Sequence, residues 1–75
     1  MAKNIVKDSL SPRLDIPSDT IMYVGLAAPD ADPAGAVWKI IRITSDVNGG
    51  LVGEWADGNT EFDNIWDNRA SLSYS

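Results

Sequence analysis

Asn48-Gly49-Gly50 separates two runs of strand-forming residues, and this punctuation constrains most of what the chain can become. Residues 37–47 are rich in Val and Ile, and residues 51–56 continue with Leu51, Val52 and Trp55. Asn and Gly tolerate the positive φ angles of a tight reversal, so the two runs predict an antiparallel hairpin. Side-chain parity then sets the register. A three-residue loop at 48–50 puts Val47 opposite Leu51 and Ile43 opposite Trp55, gathering Ile41, Ile43, Val47, Leu51 and Trp55 on one face. A two-residue loop would set Ile43 opposite Glu54 and Arg42 opposite Trp55. The first is preferred, because burying Glu54 costs more than an Arg42–Trp55 contact returns.

That register leaves Trp38, Ile40 and Val52 on the opposite face, beside Arg42, Thr44 and Glu54. Such a sheet is apolar on both sides. Either it curls into a small barrel or sandwich, or its second face meets a neighbouring subunit. Upstream, residues 21–28 form a further strand candidate, and residues 29–35, with two Pro, two Asp and a Gly, predict a loop. In residues 1–20, Pro12 and Pro17 exclude a continuous helix, and the isolated apolar residues Ile5, Val6, Leu10, Leu14 and Ile16 indicate an extended N-terminal arm. Downstream, Asp57-Gly58-Asn59 predicts a turn. Thr60 and Asp63 resemble a capping box, after which Phe62, Ile65, Trp66 and Arg69 fall at helical spacing for one or two turns. Residues 70–74 alternate as a short closing strand. The expectation is an all-β chain: an extended arm over residues 1–20, then a small β domain over residues 21–75, built as an antiparallel sheet, barrel or sandwich with one short helical turn.

Composition bears on how such a domain is held together. Seventy-five residues make one domain, and a chain this short buries only about 60% of its unfolded surface. With no Cys and no His, neither a disulfide nor the usual zinc site can staple it. Association with copies of itself or with another protein is the remaining source of extra stability. The net charge of −5 and the scattering of Lys3, Lys7, Arg13, Lys39, Arg42 and Arg69 leave no basic stripe for phosphates, which argues against nucleic acid and anionic membranes as partners. The opening MAKNIVKDS lacks the apolar core of a signal peptide, and no window reaches the length of a membrane span.

The chemistry-bearing residues resolve mostly into structural roles. Asp57, Asn59, Glu61 and Asp63 have the odd-position spacing of a calcium loop. Counting from Asp57, however, Phe62 stands where the loop needs Gly and Asn68 where it needs a bidentate Glu. Turn and cap roles account for these residues, and no metal or cofactor is expected. Without His or Cys, nucleophilic catalysis lacks its usual groups, and a small β domain has little volume for a cleft that would tune a carboxylate pair, so no enzyme activity is expected. The aromatic residues Tyr23, Trp38, Trp55, Phe62, Trp66 and Tyr74 suit a core or a subunit interface. The competing use is a glycan- or ligand-stacking platform at Trp66, Asp67 and Asn68. The candidate interface residues are Ile5, Val6, Leu10, Leu14, Ile16, Trp38, Ile40 and Arg42.

Three segments carry a resemblance. Residues 22–29 read MY-x-G-x-AAP, residues 38–43 read W-x-I-x-RI, and the chain closes on WADG…FDNIWDNRASLSYS. With these, residues 21–75 resemble a group of small proteins of tailed bacteriophages. The resemblance implies a structural component of the virion, such as a capsid decoration protein or another minor head or tail protein, whose partners are copies of itself or other phage structural proteins. It implies no reaction. If residues 57–63 serve as turn and cap, adding calcium or a chelator should leave the melting temperature unaltered, since ligand binding to the folded state alone raises it. A calcium-dependent rise of several degrees would overturn the assignment.

Overall fold

The structure, a computed structural model, describes residues 10–75. It is all-β: the described residues form five antiparallel strands and a single short 3₁₀ helix. The strands are β1 (Ser11–Ser18), β2 (Ile21–Ala27), β3 (Ala36–Ser45), β4 (Leu51–Trp55) and β5 (Asn64–Ile65). They form one open sheet in the order β1-β2-β3-β4, with β5 pairing β3 beyond the end of β4. Of the sheet, barrel and sandwich forms expected, the open sheet is the one adopted.

Within the stretch read as an arm, Ser11–Ser18 is a strand of this sheet. β1 pairs with β2 through Ser11↔Ala27 to Asp15↔Tyr23, and the two-residue reversal at Asp19-Thr20 returns the chain into β2. Pro12 and Pro17 do forbid a helix, but they are compatible with an edge strand, where an absent N–H need not cost a ladder bond. Pro17 falls within a register irregularity between Asp15 and Ser18.

The hairpin forms with a longer loop than expected. The pairs are Ile41↔Trp55, Arg42↔Glu54, Ile43↔Gly53, Thr44↔Val52 and Ser45↔Leu51, two residues from the preferred alignment. The five residues 46–50 make the loop. Asp46 explains the difference, because its carboxylate Oδ1 accepts from the amides of Asn48 at 2.8 Å and Gly50 at 2.9 Å. A side chain that bonds its own following backbone favours turn over strand. Val47 is therefore not a strand residue and lies 99% exposed at the tip. A shift of two preserves parity, so Ile41, Ile43, Leu51 and Trp55 still share a face.

The capping box does not form. Asn59 Oδ1 accepts from the Glu61 amide at 2.9 Å, making an Asx turn where Thr60 was expected to cap. The 3₁₀ helix Trp66–Ser71 begins after Ile65, without a side-chain cap. Beyond it, the expected closing strand is reduced to a bridge between Ala56 and Tyr74. Backbone bonds join Trp55 to Ser75 in both directions, and the Asp57 amide donates to the Ser73 carbonyl at 2.7 Å.

The core lies between one sheet face and this C-terminal segment. Tyr23, Ala27, Trp38, Ile40, Ala56 and Trp66 are its buried apolar residues. Trp38 and Trp66 meet with ring centroids 5.8 Å apart and planes tilted by 40°, a geometry that suits the aromatic quadrupole. Gly25 makes room for them: a Cβ at this position would stand 2.5 Å from a Trp66 ring carbon. The loop before β3 joins this layer. The Trp38 indole N–H donates to the Asp32 carbonyl at 3.0 Å, and the Asp67 amide to the Pro33 carbonyl at 3.0 Å.

Gly25→Ala should therefore destabilise the fold by about 1 to 3 kcal/mol, the usual cost of overpacking a filled core. Gly53→Ala should cost less, because its Cβ would meet only the flexible tip of Ile41. Urea unfolding of the two variants tests the ranking, and equal costs would contradict the described core. Gly49, at φ 84°, should lose about 1 kcal/mol on substitution by Ala.

Candidate protein-interaction face

The two faces of the sheet have different fates. On the covered face, β2 contributes Tyr23, Gly25 and Ala27 and β3 contributes Trp38, Ile40 and Arg42, all beneath or beside the 3₁₀ helix and tail. The small residues Gly25 and Ala27 leave space there for indole rings. On the other face, β2 presents Met22, Val24 and Leu26, and β3 presents Ile41 and Ile43. No described element packs over these residues.

Register makes this open face continuous. One row crosses the four long strands as Leu14↔Val24↔Ile41↔Trp55. The flanking rows are Pro12↔Leu26↔Lys39 and Met22↔Ile43↔Gly53. Ile16 and Leu51 border the second of these at a shallow groove of about 210 Å³, which also reaches Met22, Ile43 and Ser45 and is lined at the β1–β2 turn by Asp19. Leu14 is 62% exposed and Leu51 is 72% exposed. Apolar side chains in one contiguous patch on this scale mark interaction surfaces, unlike single exposed Leu or Val residues.

Lys39 is the one charged residue at a strand position on this face. Its ammonium sits 4.5 Å from the Phe62 ring centroid and 5.9 Å from that of Trp55, drawn toward the rim by ring quadrupoles. The central rows are left free of charge.

The covered face holds the polar contacts. Arg69 donates from Nε to Asp15 Oδ2 at 2.9 Å and from Nη1 to the Trp66 carbonyl at 3.1 Å, with its guanidinium 4.5 Å from the Trp66 ring centroid. It thereby clamps the 3₁₀ helix to β1. Arg42 pairs with Glu54 at 2.7 Å and lies 4.7 Å from the Tyr74 ring centroid. Both ion pairs are partly exposed, which limits each to about 1 kcal/mol or less. The Tyr74 hydroxyl donates to the Arg69 carbonyl at 2.7 Å. Burial, reinforced by nearby Tyr23, pushes the phenol of Tyr74 up to about 12.

The candidate residues divide accordingly. Leu14 and Ile16 lie on the open face, and Leu10 is exposed just before β1. Trp38 and Ile40 are only 4% and 1% exposed and belong to the chain's own core, so they cannot serve as contacts with another chain. Arg42 sits beside that core with Glu54 and Tyr74. Ile5 and Val6 lie outside the described residues. Trp66 is 3% exposed, so it offers no stacking surface, although Asp67 and Asn68 beside it are exposed. Asp57, Asn59, Glu61 and Asp63 stand in the turn region before β5, and among the described residues no three acidic side chains converge on a common point. The residues that sequence reasoning did not single out are Met22, Val24 and Leu26; Ile41, Ile43 and Trp55 were gathered on one face there, but the opposite face was read as the interface. A signal was present in β2, where large side chains alternate with the small residues Gly25 and Ala27.

No family model, no curated protein and no solved structure matches the chain.

Because the folded state holds the Tyr74 proton beyond its ordinary range near 10, its contribution is fully present below pH 10 and declines as pH rises toward 12. Tyr74→Phe should reduce that alkaline loss. At neutral pH it should cost about 1 kcal/mol for the lost bond to the Arg69 carbonyl. Urea unfolding across pH 8 to 12 tests both statements, and an unchanged alkaline slope would count against a buried, proton-holding Tyr74.

Proposed function

We propose that the protein is a structural component of a bacteriophage virion, a capsid decoration protein or another minor head or tail protein, which acts through protein–protein contacts. The observation that carries the reading is the open four-strand face, with its uncharged row Leu14↔Val24↔Ile41↔Trp55. A face of this kind gains free energy by leaving water, at roughly 25 cal/mol for each Å² of apolar surface buried. An assembled lattice supplies such cover. The resemblance of residues 21–75 to small tailed-phage proteins supplies the setting.

The mechanism is passive. The chain is made in the host bacterial cytoplasm and joins the particle, where it strengthens subunit boundaries without turnover and without a cofactor. Its partners are other phage structural proteins or copies of itself, rather than nucleic acid or membrane. The alternative of a glycan- or ligand-binding module at Trp66, Asp67 and Asn68 gains no support, because the Trp66 ring is buried against Trp38 and Gly25.

Mass spectrometry of purified particles tests the reading. Stoichiometric copies per particle are expected, and absence of the chain from intact particles would overturn it. Val24→Glu should reduce incorporation by at least tenfold if the open face makes the contact, while Asp67→Ala, on the covered layer, should leave it unchanged.

A further inference from the structure

We infer that the open sheet face pairs with the same face of a second copy, so that two chains form a two-layer sandwich centred on Val24 and Ile41. The inference rests on the reading of a contact-making structural subunit and chooses between its two kinds of partner. Three observations carry it.

Charge is the first. A chain with net charge −5 that docked on an oppositely charged surface would be expected to offer acidic groups there. The strand rows of this face offer none, Asp19 of the β1–β2 turn being the one carboxylate that lines its groove, and its one cation, Lys39, is held at the rim against Phe62 and Trp55. A surface with no sign to complement is matched by an equally uncharged apolar surface, and a second copy presents one. In an isologous pair each apolar residue of one face contributes on both sides of the boundary.

Area is the second. Strands about 4.8 Å apart with a rise of about 3.3 Å per residue make four strands cover roughly 19 by 20 Å. That flat footprint comes to about 760 Å² over the two faces, and side-chain relief enlarges it toward the roughly 1,000 Å² at which small, reversible interfaces begin. Two sheets so packed stand about 10 Å apart, with strand directions within about 30°.

The third is that the alternative route, strand addition at a sheet edge, is obstructed. β1 carries Pro12, Pro17 and a register irregularity, which are devices that blunt an edge. On the opposite edge, Trp55 is bonded to Ser75, which leaves only the four residues 51–54 of β4 as free edge, and a very short edge is a poor template for strand addition. Association is left to the face.

Sedimentation velocity on the full chain should show a dimer at micromolar concentration, and Ile41→Glu should raise its dissociation constant at least tenfold with an unchanged circular dichroism spectrum. Should that variant fail to fold, cross-linking replaces it. The natural chain has no cysteine, so Ile41→Cys and Asp67→Cys each introduce a single thiol. A short bis-maleimide should join two chains through position 41 and not through position 67. A chain that stays monomeric at every concentration, or equal cross-linking at both positions, would overturn the pairing. So would a monomer that becomes a dimer only when residues 1–9 are removed, which would make the chain's own N-terminal segment the occupant. Particle analysis separates the two readings. A monomer found stoichiometrically in virions keeps the structural role and rejects self-pairing, whereas a face-to-face dimer absent from virions does the reverse.

Discussion

The seating of Trp66 on Gly25 is the contact on which the rest of the structure depends. Gly25 has no side chain, so the indole can lie against the backbone of β2 with the Trp38 ring beside it. Burying one tryptophan removes about 150 to 250 Å² from water. At roughly 25 cal/mol per Å² this is about 4 to 6 kcal/mol before the cost of ordering. The net stability available to a domain of this size is about 3 to 5 kcal/mol. One side chain is thus of the same order as the whole balance, and its position decides which sheet face becomes the core.

The other contacts hold that seating in place. Arg69 bonds the carbonyl of Trp66, lies over its ring and reaches Asp15 on β1, connecting the last quarter of the chain to the first strand. Tyr74 bonds the Arg69 carbonyl and stands 5.9 Å from the ring of Tyr23. The terminal residues then pair with Trp55 and Asp57. Each link is modest alone, yet together they close one face with a segment that contains little regular structure. Having spent its C-terminal segment on one face, the chain has no described element for the other. The open apolar face follows from that choice, which connects the packing of a single indole to a proposed role in assembly.

The hairpin was legible because the identity of the turn residues is a local matter. Asn48, Gly49 and Gly50 required a reversal wherever the rest of the chain went. The register was less legible, since Asp46 could be counted as strand until its carboxylate was seen to bond the following amides. Parity survived the two-residue shift because side chains alternate with period two. Residues 11–18 were harder: an edge strand with two prolines has almost the same local signature as an unpaired extended segment, and only pairing with β2 distinguishes them. The cap at Thr60 failed because the helix begins only at Trp66, while Asn59 holds the preceding residues in a turn by accepting from the Glu61 amide.

The sequence by itself determined that this chain is built of strands, where it reverses, and which side chains share a face, because turn chemistry and side-chain alternation act over a few residues. It also excluded disulfide staples, since the chain has no Cys. Only the tertiary structure decided which of two apolar faces is buried. Ile41, Ile43 and Trp55 are as hydrophobic as Trp38 and Ile40, so local chemistry could not rank the two sets. The choice was made by shape, because Gly25 and Ala27 leave a recess that accepts an indole, whereas Met22, Val24 and Leu26 fill the corresponding space on the other side.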